Sequence, residues 1–131
     1  MATAVALVSL TDERNTWVAG NKYMAVGNVA VSASPATYVT GGIPMSFFVP
    51  LIKVNTFPPI LVQVQGQGLG TTGTLFVYEY VPGVDASAGL LKIFAQGAGS
   101  GDGMAEIAAS AIPADVSGDT LTFFAIFNGM Q

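Results

Sequence analysis

The apolar positions of this chain fall in short runs rich in β-branched and aromatic residues between turn formers, and no run of ten or more residues repeats them every three or four positions, which predicts strands rather than helices. The clearest stretch runs Thr74-Leu-Phe-Val-Tyr-Glu-Tyr80, then through Pro82, Gly83, Asp85 and Gly89 into Leu90-Leu-Lys-Ile-Phe-Ala-Gln96. β-Branched and aromatic residues in both arms, with turn formers between them, predict a β-hairpin. Alternation places Phe76, Tyr78 and Tyr80 on one face of the first arm and Leu75, Val77 and Glu79 on the other. The return arm divides into Leu91, Ile93, Ala95 against Leu90, Lys92, Phe94. Only Glu79 and Lys92 relieve the second face, so the hairpin is apolar on both sides. Such a hairpin either lies inside a sandwich on one face and at an interface on the other, or sits in the middle of a larger core.

The same reading gives a strand over Ala4–Leu10, an exposed turn at Thr11–Asn15, a pair formed by Thr16–Ala19 and Tyr23–Ser32 around Gly20-Asn21, and a bulge at Gly27. Pro44 and Pro50 bracket Met45–Val49 as an edge strand or a short helical turn. Leu51–Phe57, Ile60–Gln65, Met104–Ala109 and Leu121–Phe127 follow, with a turn at Ala111–Asp115. No run carries a helical period with start and stop signals. The expectation is an all-β protein, a two-sheet antiparallel β-sandwich, jelly-roll-like, of about eight to ten short strands. Residues 1–15 read as an N-terminal strand or arm and 16–131 as a single β-sandwich domain.

Composition narrows the chemistry. The 131 residues contain no Cys and no His, which removes thiol nucleophiles, disulfides, Cys-type zinc sites and the commonest neutral-pH base. Charged residues are 9% of the chain against roughly 25% in ordinary soluble domains. The net charge of −4 leaves no basic patch for a phosphate backbone, so no nucleic acid is expected. Such a charge deficit reads as surface hidden in an assembly. The N-terminal ten residues lack a positive leading segment and are too short in their apolar run to span a bilayer, so no membrane association is expected.

Several motifs lack the context their chemistry needs. Gly68-Leu-Gly-Thr-Thr-Gly73 fits the glycine pattern of a dinucleotide loop, but a strand pattern follows it where a helix N-terminus would be needed. Gly99-Ser-Gly-Asp102 resembles one turn of a calcium-binding β-roll, a site that needs stacked copies. Asp115 and Asp119 are near enough in sequence for an acid and base pair, yet Asp in a Ser-Gly-Asp turn is ordinarily a local hydrogen-bond former. Phe76, Tyr78, Tyr80, Phe94, Phe123, Phe124 and Phe127 could form a sugar-stacking platform but fit strand cores better. Trp17 and Tyr38, beside polar or Gly-rich segments, are the better sugar-stacking candidates. No cofactor, no metal and no catalytic residue is assigned, and an enzyme is not expected.

The order of elements from Tyr38 onward, Tyr38-Val-Thr-Gly-Gly-Ile-Pro44, Phe76-Val-Tyr-Glu-Tyr80, Gly89-Leu-Leu-Lys-Ile-Phe94, Ala105-Glu-Ile-Ala-Ala109 and Leu121-Thr-Phe-Phe-Ala-Ile-Phe127, resembles the small structural proteins of tailed bacteriophages. The likeness is to capsid cement or decoration proteins with a jelly-roll-like sandwich. It covers about two thirds of the chain, rests on strand and turn patterns, and leaves Ala2–Asn15 unexplained. It implies a virion structural protein that binds the outer surface of the major capsid protein shell and stabilises it. It also implies a location on the capsid surface. Together with the two-sided hairpin this suggests a homo-oligomer, a trimer before a dimer, contacting through Leu75, Val77, Leu90 and Phe94 with Glu79 and Lys92 at the rim. The alternative from another class is a phage tail component with a carbohydrate- or receptor-binding β-sandwich module.

Overall fold

In the computed structural model, residues 3–9, 16–19, 22–33, 36–47, 58–66, 76–96, 101 and 103–128 are described. Strands take up 58% of them, well above the roughly 20–25% of ordinary globular proteins. Nine strands run β1 (Ala6–Ser9), β2 (Thr16–Ala19), β3 (Lys22–Val31), β4 (Ile43–Ser46), β5 (Leu61–Gly66), β6 (Phe76–Val81), β7 (Gly89–Gln96), β8 (Met104–Glu106) and β9 (Leu121–Asn128), with one helical turn, α1 (Ala114–Ser117). The all-β class and the strand number are those the pattern predicts.

The strands join in one sheet rather than two, in the order β5-β9-β3-β1-β4-β7-β6, with β2 on β3 and β8 on β7. All pairings are antiparallel except β1 with β4, which is parallel through Ala6 opposite Met45 and Leu7 opposite Ser46. The sheet curls until its terminal strands β5 and β6 come back alongside one another. Gly66 of β5 lies so close to β6 that a Cβ there would stand 3.2 Å from the ring of Tyr78. Curling lets one sheet do what two sheets do in a sandwich, burying one face and abolishing most of its free edge.

Alternation decides what is buried. Strand β3 turns Tyr23, Ala25, Val29 and Val31 inward, β9 turns Leu121, Phe123, Ala125 and Phe127 inward, and Ile43, Met45, Leu91 and Ile93 meet them from β4 and β7. Phe47, fully buried, is the aromatic hub: its ring meets Tyr80, Phe123 and Phe127 at centroid distances of 5.3, 5.2 and 5.4 Å, each near edge-to-face. No charged or polar residue is buried among the described residues. None of their helices is long and apolar enough to cross a membrane.

Of the strand or arm expected at residues 1–15, residues 6–9 form a strand, and it lies between β3 and β4. Three expectations change. Gly27 is no bulge, because β3 and β9 stay in unbroken register from Lys22 opposite Asn128 to Val29 opposite Leu121, with Gly27 opposite Phe123. Pro44 lies within β4, an interior strand, where the β1 ladder starts only at Met45 and so asks Pro44 for no donor. The turn expected at Ala111–Asp115 leads into α1, started at Pro113 and too short to show a period. The segments around Thr11–Asn15, Gly20-Asn21, Leu51–Phe57, Gly68–Gly73 and Gly97–Ser100 lie outside the described residues.

Candidate interaction surface

The central hairpin forms where the pattern predicts it, and the structure supplies its register. Phe76 pairs with Ala95, Val77 with Phe94, Tyr78 with Ile93, Glu79 with Lys92, Tyr80 with Leu91 and Val81 with Leu90. Its connection is fixed by Asp85, whose Oδ1 accepts from the Ser87 N–H at 2.8 Å and the Ser87 hydroxyl at 2.7 Å. Those two bonds hold the Asp85 carboxyl below the usual carboxylate range. The Phe47 N–H donates to the Ala86 carbonyl at 2.8 Å, tying the connection to the core. The faces separate as the alternation requires: Tyr78, Leu91 and Ile93 are buried, while Val77 is 46% exposed and Glu79 is exposed.

The outer face therefore carries three cross-strand rows: Val77 with Phe94, Glu79 with Lys92, and Val81 with Leu90. Five of the six residues assigned to an interface in the sequence, Val77, Glu79, Leu90, Lys92 and Phe94, stand together here. The sixth, Leu75, lies outside the described residues. Val81 and Pro44 extend the patch, the latter opposite Leu90 across the β4–β7 ladder and exposed. Alternation from Val77 already pointed to Val81; Pro44 could be placed only once the β4–β7 pairing was known.

Glu106, opposite Phe94 across the β7–β8 ladder, adds a carboxylate that sequence gave no reason to single out. Its Oε2 accepts from the Tyr38 hydroxyl and from the Gly41 N–H, both at 2.6 Å. These bonds, with a smaller contribution from the Lys92 charge, hold the Glu106 carboxyl below its ordinary value. Gly41 and Gly42 both have positive φ, 101° and 119°, which bends the chain back toward β7. A Cβ at Gly42 would stand 2.9 Å from Leu90 Cβ, so only glycine allows this approach.

Tyr38 is correspondingly not a sugar platform. Its ring is 1% exposed, and its hydroxyl also accepts from the Ile93 N–H at 3.2 Å. Burial, seconded by the bond to Glu106, pushes its pKa up to about 12. The side chain of Trp17 lies outside the described residues. Phe123, Phe127 and Tyr78 are core, and Phe76 and Tyr80 pack against it, whereas Phe94 and Phe124 are half-buried on outer faces. Asp119 spends Oδ1 on the adjacent Thr120 N–H at 2.8 Å, in keeping with a turn role. Among the described residues no cluster of acidic side chains could hold a metal ion. Comparison of the chain with protein-family models, with curated proteins and with solved structures finds no match.

Proposed function

We propose that this protein is a non-catalytic structural component of a tailed-bacteriophage particle, a cement or decoration protein that sits on the outer surface of the major capsid protein shell and stabilises it. The observation that carries the reading is the outer face of β6 and β7. There Val77, Val81, Leu90 and Phe94 form apolar rows on a rigid hairpin with Lys92 as the one cation among them, between Glu79 and Glu106. Rigid strands suit a static contact, since little conformational entropy is lost on docking. A stable contact of about 800 Å² per partner needs an apolar centre and a polar rim, and the face supplies both. The protein works as a symmetric homo-oligomer, a trimer before a dimer, with this face at the contact between copies and the assembled unit clamping neighbouring capsid subunits. Many copies act together through the symmetry of the shell.

Val77→Asp tests the reading. The side chain is already at the surface, so the purified variant should keep its fold and melting temperature, while a carboxylate buried in a contact should block assembly and decoration. The measurements are solution mass, occupancy on shells, and the temperature at which shells rupture with and without the protein. A variant that keeps the wild-type mass and decorates shells fully removes this face from the contact. Equal rupture temperatures for bare and decorated shells remove the cementing role.

A further inference from the structure

The outer face of β5, β9 and β3 has a different character. Register aligns Leu61, Ile126 and Met24 in one row, then Gln63, Phe124 and Val26, then Gln65, Thr122 and Asn28. The second and third rows border a shallow groove of about 170 Å³ lined by Val26, Gln63, Gln65, Thr122, Phe123 and Phe124. Gln63 and Gln65 are exposed, and Val26, Thr122 and Phe124 are half-buried. No lining residue is charged.

We propose that this groove binds a neutral oligosaccharide. Two glutamine amides on alternate positions of one strand offer four N–H donors and two carbonyl acceptors along one edge, and the Thr122 hydroxyl, which donates to the Gln65 backbone carbonyl at 3.4 Å, adds a third polar point that can still accept. That is the complement of a ring bearing hydroxyl groups, each both donor and acceptor. Phe124 and Val26 give the groove an apolar side for the C–H face of such a ring. The absence of charge in the groove argues against phosphate or uronate ligands, whose anionic groups would find no cation there. At about 170 Å³ the groove is below the roughly 300–1,000 Å³ of sites for drug-sized ligands, and it is open, so it would hold one sugar ring of a chain that continues across the sheet. The inference goes beyond a role in cementing and does not depend on it, because the two faces share no residue.

The test is a heteronuclear NMR titration of the purified full-length protein, without shells, against four neutral hexamers: cellohexaose, maltohexaose, mannohexaose and chitohexaose. An alginate hexamer serves as the charged control. The expected result is saturable binding of at least one neutral hexamer with a Kd of about 1 mM or tighter, and shifts confined to β3, β5 and β9. The double variant Gln63→Ala, Gln65→Ala, which changes only exposed side chains, should keep the wild-type spectrum elsewhere and weaken binding about tenfold or more. Phe124→Ala should weaken it as well; if that variant fails to fold, the glutamine pair decides. Absence of saturable binding by all four hexamers up to about 10 mM overturns the proposal. So do shifts that map to the β6–β7 face, tighter binding of the alginate control, and a glutamine variant that binds as well as the parent.

Discussion

Removing one oxygen atom from Tyr38 should cost this protein much of its stability. Strand β7 is paired on one edge first by β4, as far as Leu91, and then by β8, from Phe94 onward. Between them the edge is closed by Tyr38. The Ile93 N–H donates to its hydroxyl at 3.2 Å, the hydroxyl donates to Glu106 at 2.6 Å, and the Ile93 carbonyl accepts from the Ile107 N–H at 3.0 Å. Tyr38→Phe deletes a hydrogen bond to a charged acceptor, worth about 1.5–3 kcal/mol, and leaves the buried Ile93 donor without an acceptor, a further cost of about 1–3 kcal/mol. Water reaches the half-exposed Glu106 carboxylate and replaces part of the first loss, so the lower ends apply, about 2.5 kcal/mol together. For a chain of this length that is a fall in Tm of roughly 10 °C. Urea unfolding gives the number directly. Hydrogen exchange gives the location, with the Ile93 amide losing protection first. A loss below about 1 kcal/mol with Ile93 still protected would refute the reasoning.

The pH dependence is a second readout of the same contact. The folded Glu106 carboxyl has a lowered pKa, so between the folded and the ordinary values the unfolded chain binds more protons and stability rises with pH. The contribution is complete above the ordinary carboxyl value and is lost as pH falls through the folded one. Glu106→Gln keeps an acceptor for Tyr38 and Gly41 but removes the titration, so it should flatten this acid limb while lowering neutral-pH stability by less than Tyr38→Phe does.

Tyr78 and Tyr80 behave differently. The hydroxyls of Tyr78 and Tyr80 are buried without a hydrogen-bond partner, so Tyr78→Phe and Tyr80→Phe should leave stability unchanged or raise it by up to about 2 kcal/mol, read as a shift in urea midpoint at constant slope. Burial, with Asp119 beside Tyr78 and Asp85 beside Tyr80, pushes both pKa values up to about 12, as burial and Glu106 do for Tyr38. These raised values stabilise the fold fully below about pH 10, the ordinary tyrosine value, and the stabilisation is lost as pH rises toward 12. The slope of stability against pH between those values should fall with each Tyr→Phe replacement. Gly89→Ala would put its methyl group on the Tyr80 ring and should cost about 1–3 kcal/mol, a penalty that nearly vanishes in a Tyr80→Ala background.

The hairpin was legible because everything that defines it is local. Alternation sets its faces, and Pro82, Gly83, Asp85 and Gly89 mark its connection; the pairing of Val77 with Phe94 and Glu79 with Lys92 is seen only in the structure. The sheet order was not legible. The parallel pairing of β1 with β4 brings together residues almost forty positions apart through only two register pairs, and no pattern in Ala6–Ser9 distinguishes a strand in mid-sheet from one at an edge. A near-barrel and a sandwich also demand the same alternation of each strand, so the choice between them is made by curvature.

Tyr38 shows most clearly where local reasoning stops. Its neighbours Thr40, Gly41 and Gly42 suggest an exposed aromatic at a flexible loop, yet the two glycines are what bury it. Their positive φ values turn the backbone so that the Gly41 N–H and the Tyr38 hydroxyl converge on one carboxylate oxygen, Glu106 Oε2, more than sixty residues away. Glycine in this segment therefore reports geometric demand, not freedom. The same contact bears on the proposed interface, because it fixes Glu106 beside Phe94 and so places a carboxylate at the edge of the apolar rows. If the contact between copies uses those rows, Glu106 belongs to its rim, and loosening it should alter assembly even though the side chain is committed to Tyr38. Glu106→Gln is then the discriminating variant: a change in solution mass with the fold retained ties the carboxylate to the contact. An unchanged mass in a variant with a flattened acid limb confines Glu106 to the role of closing β7.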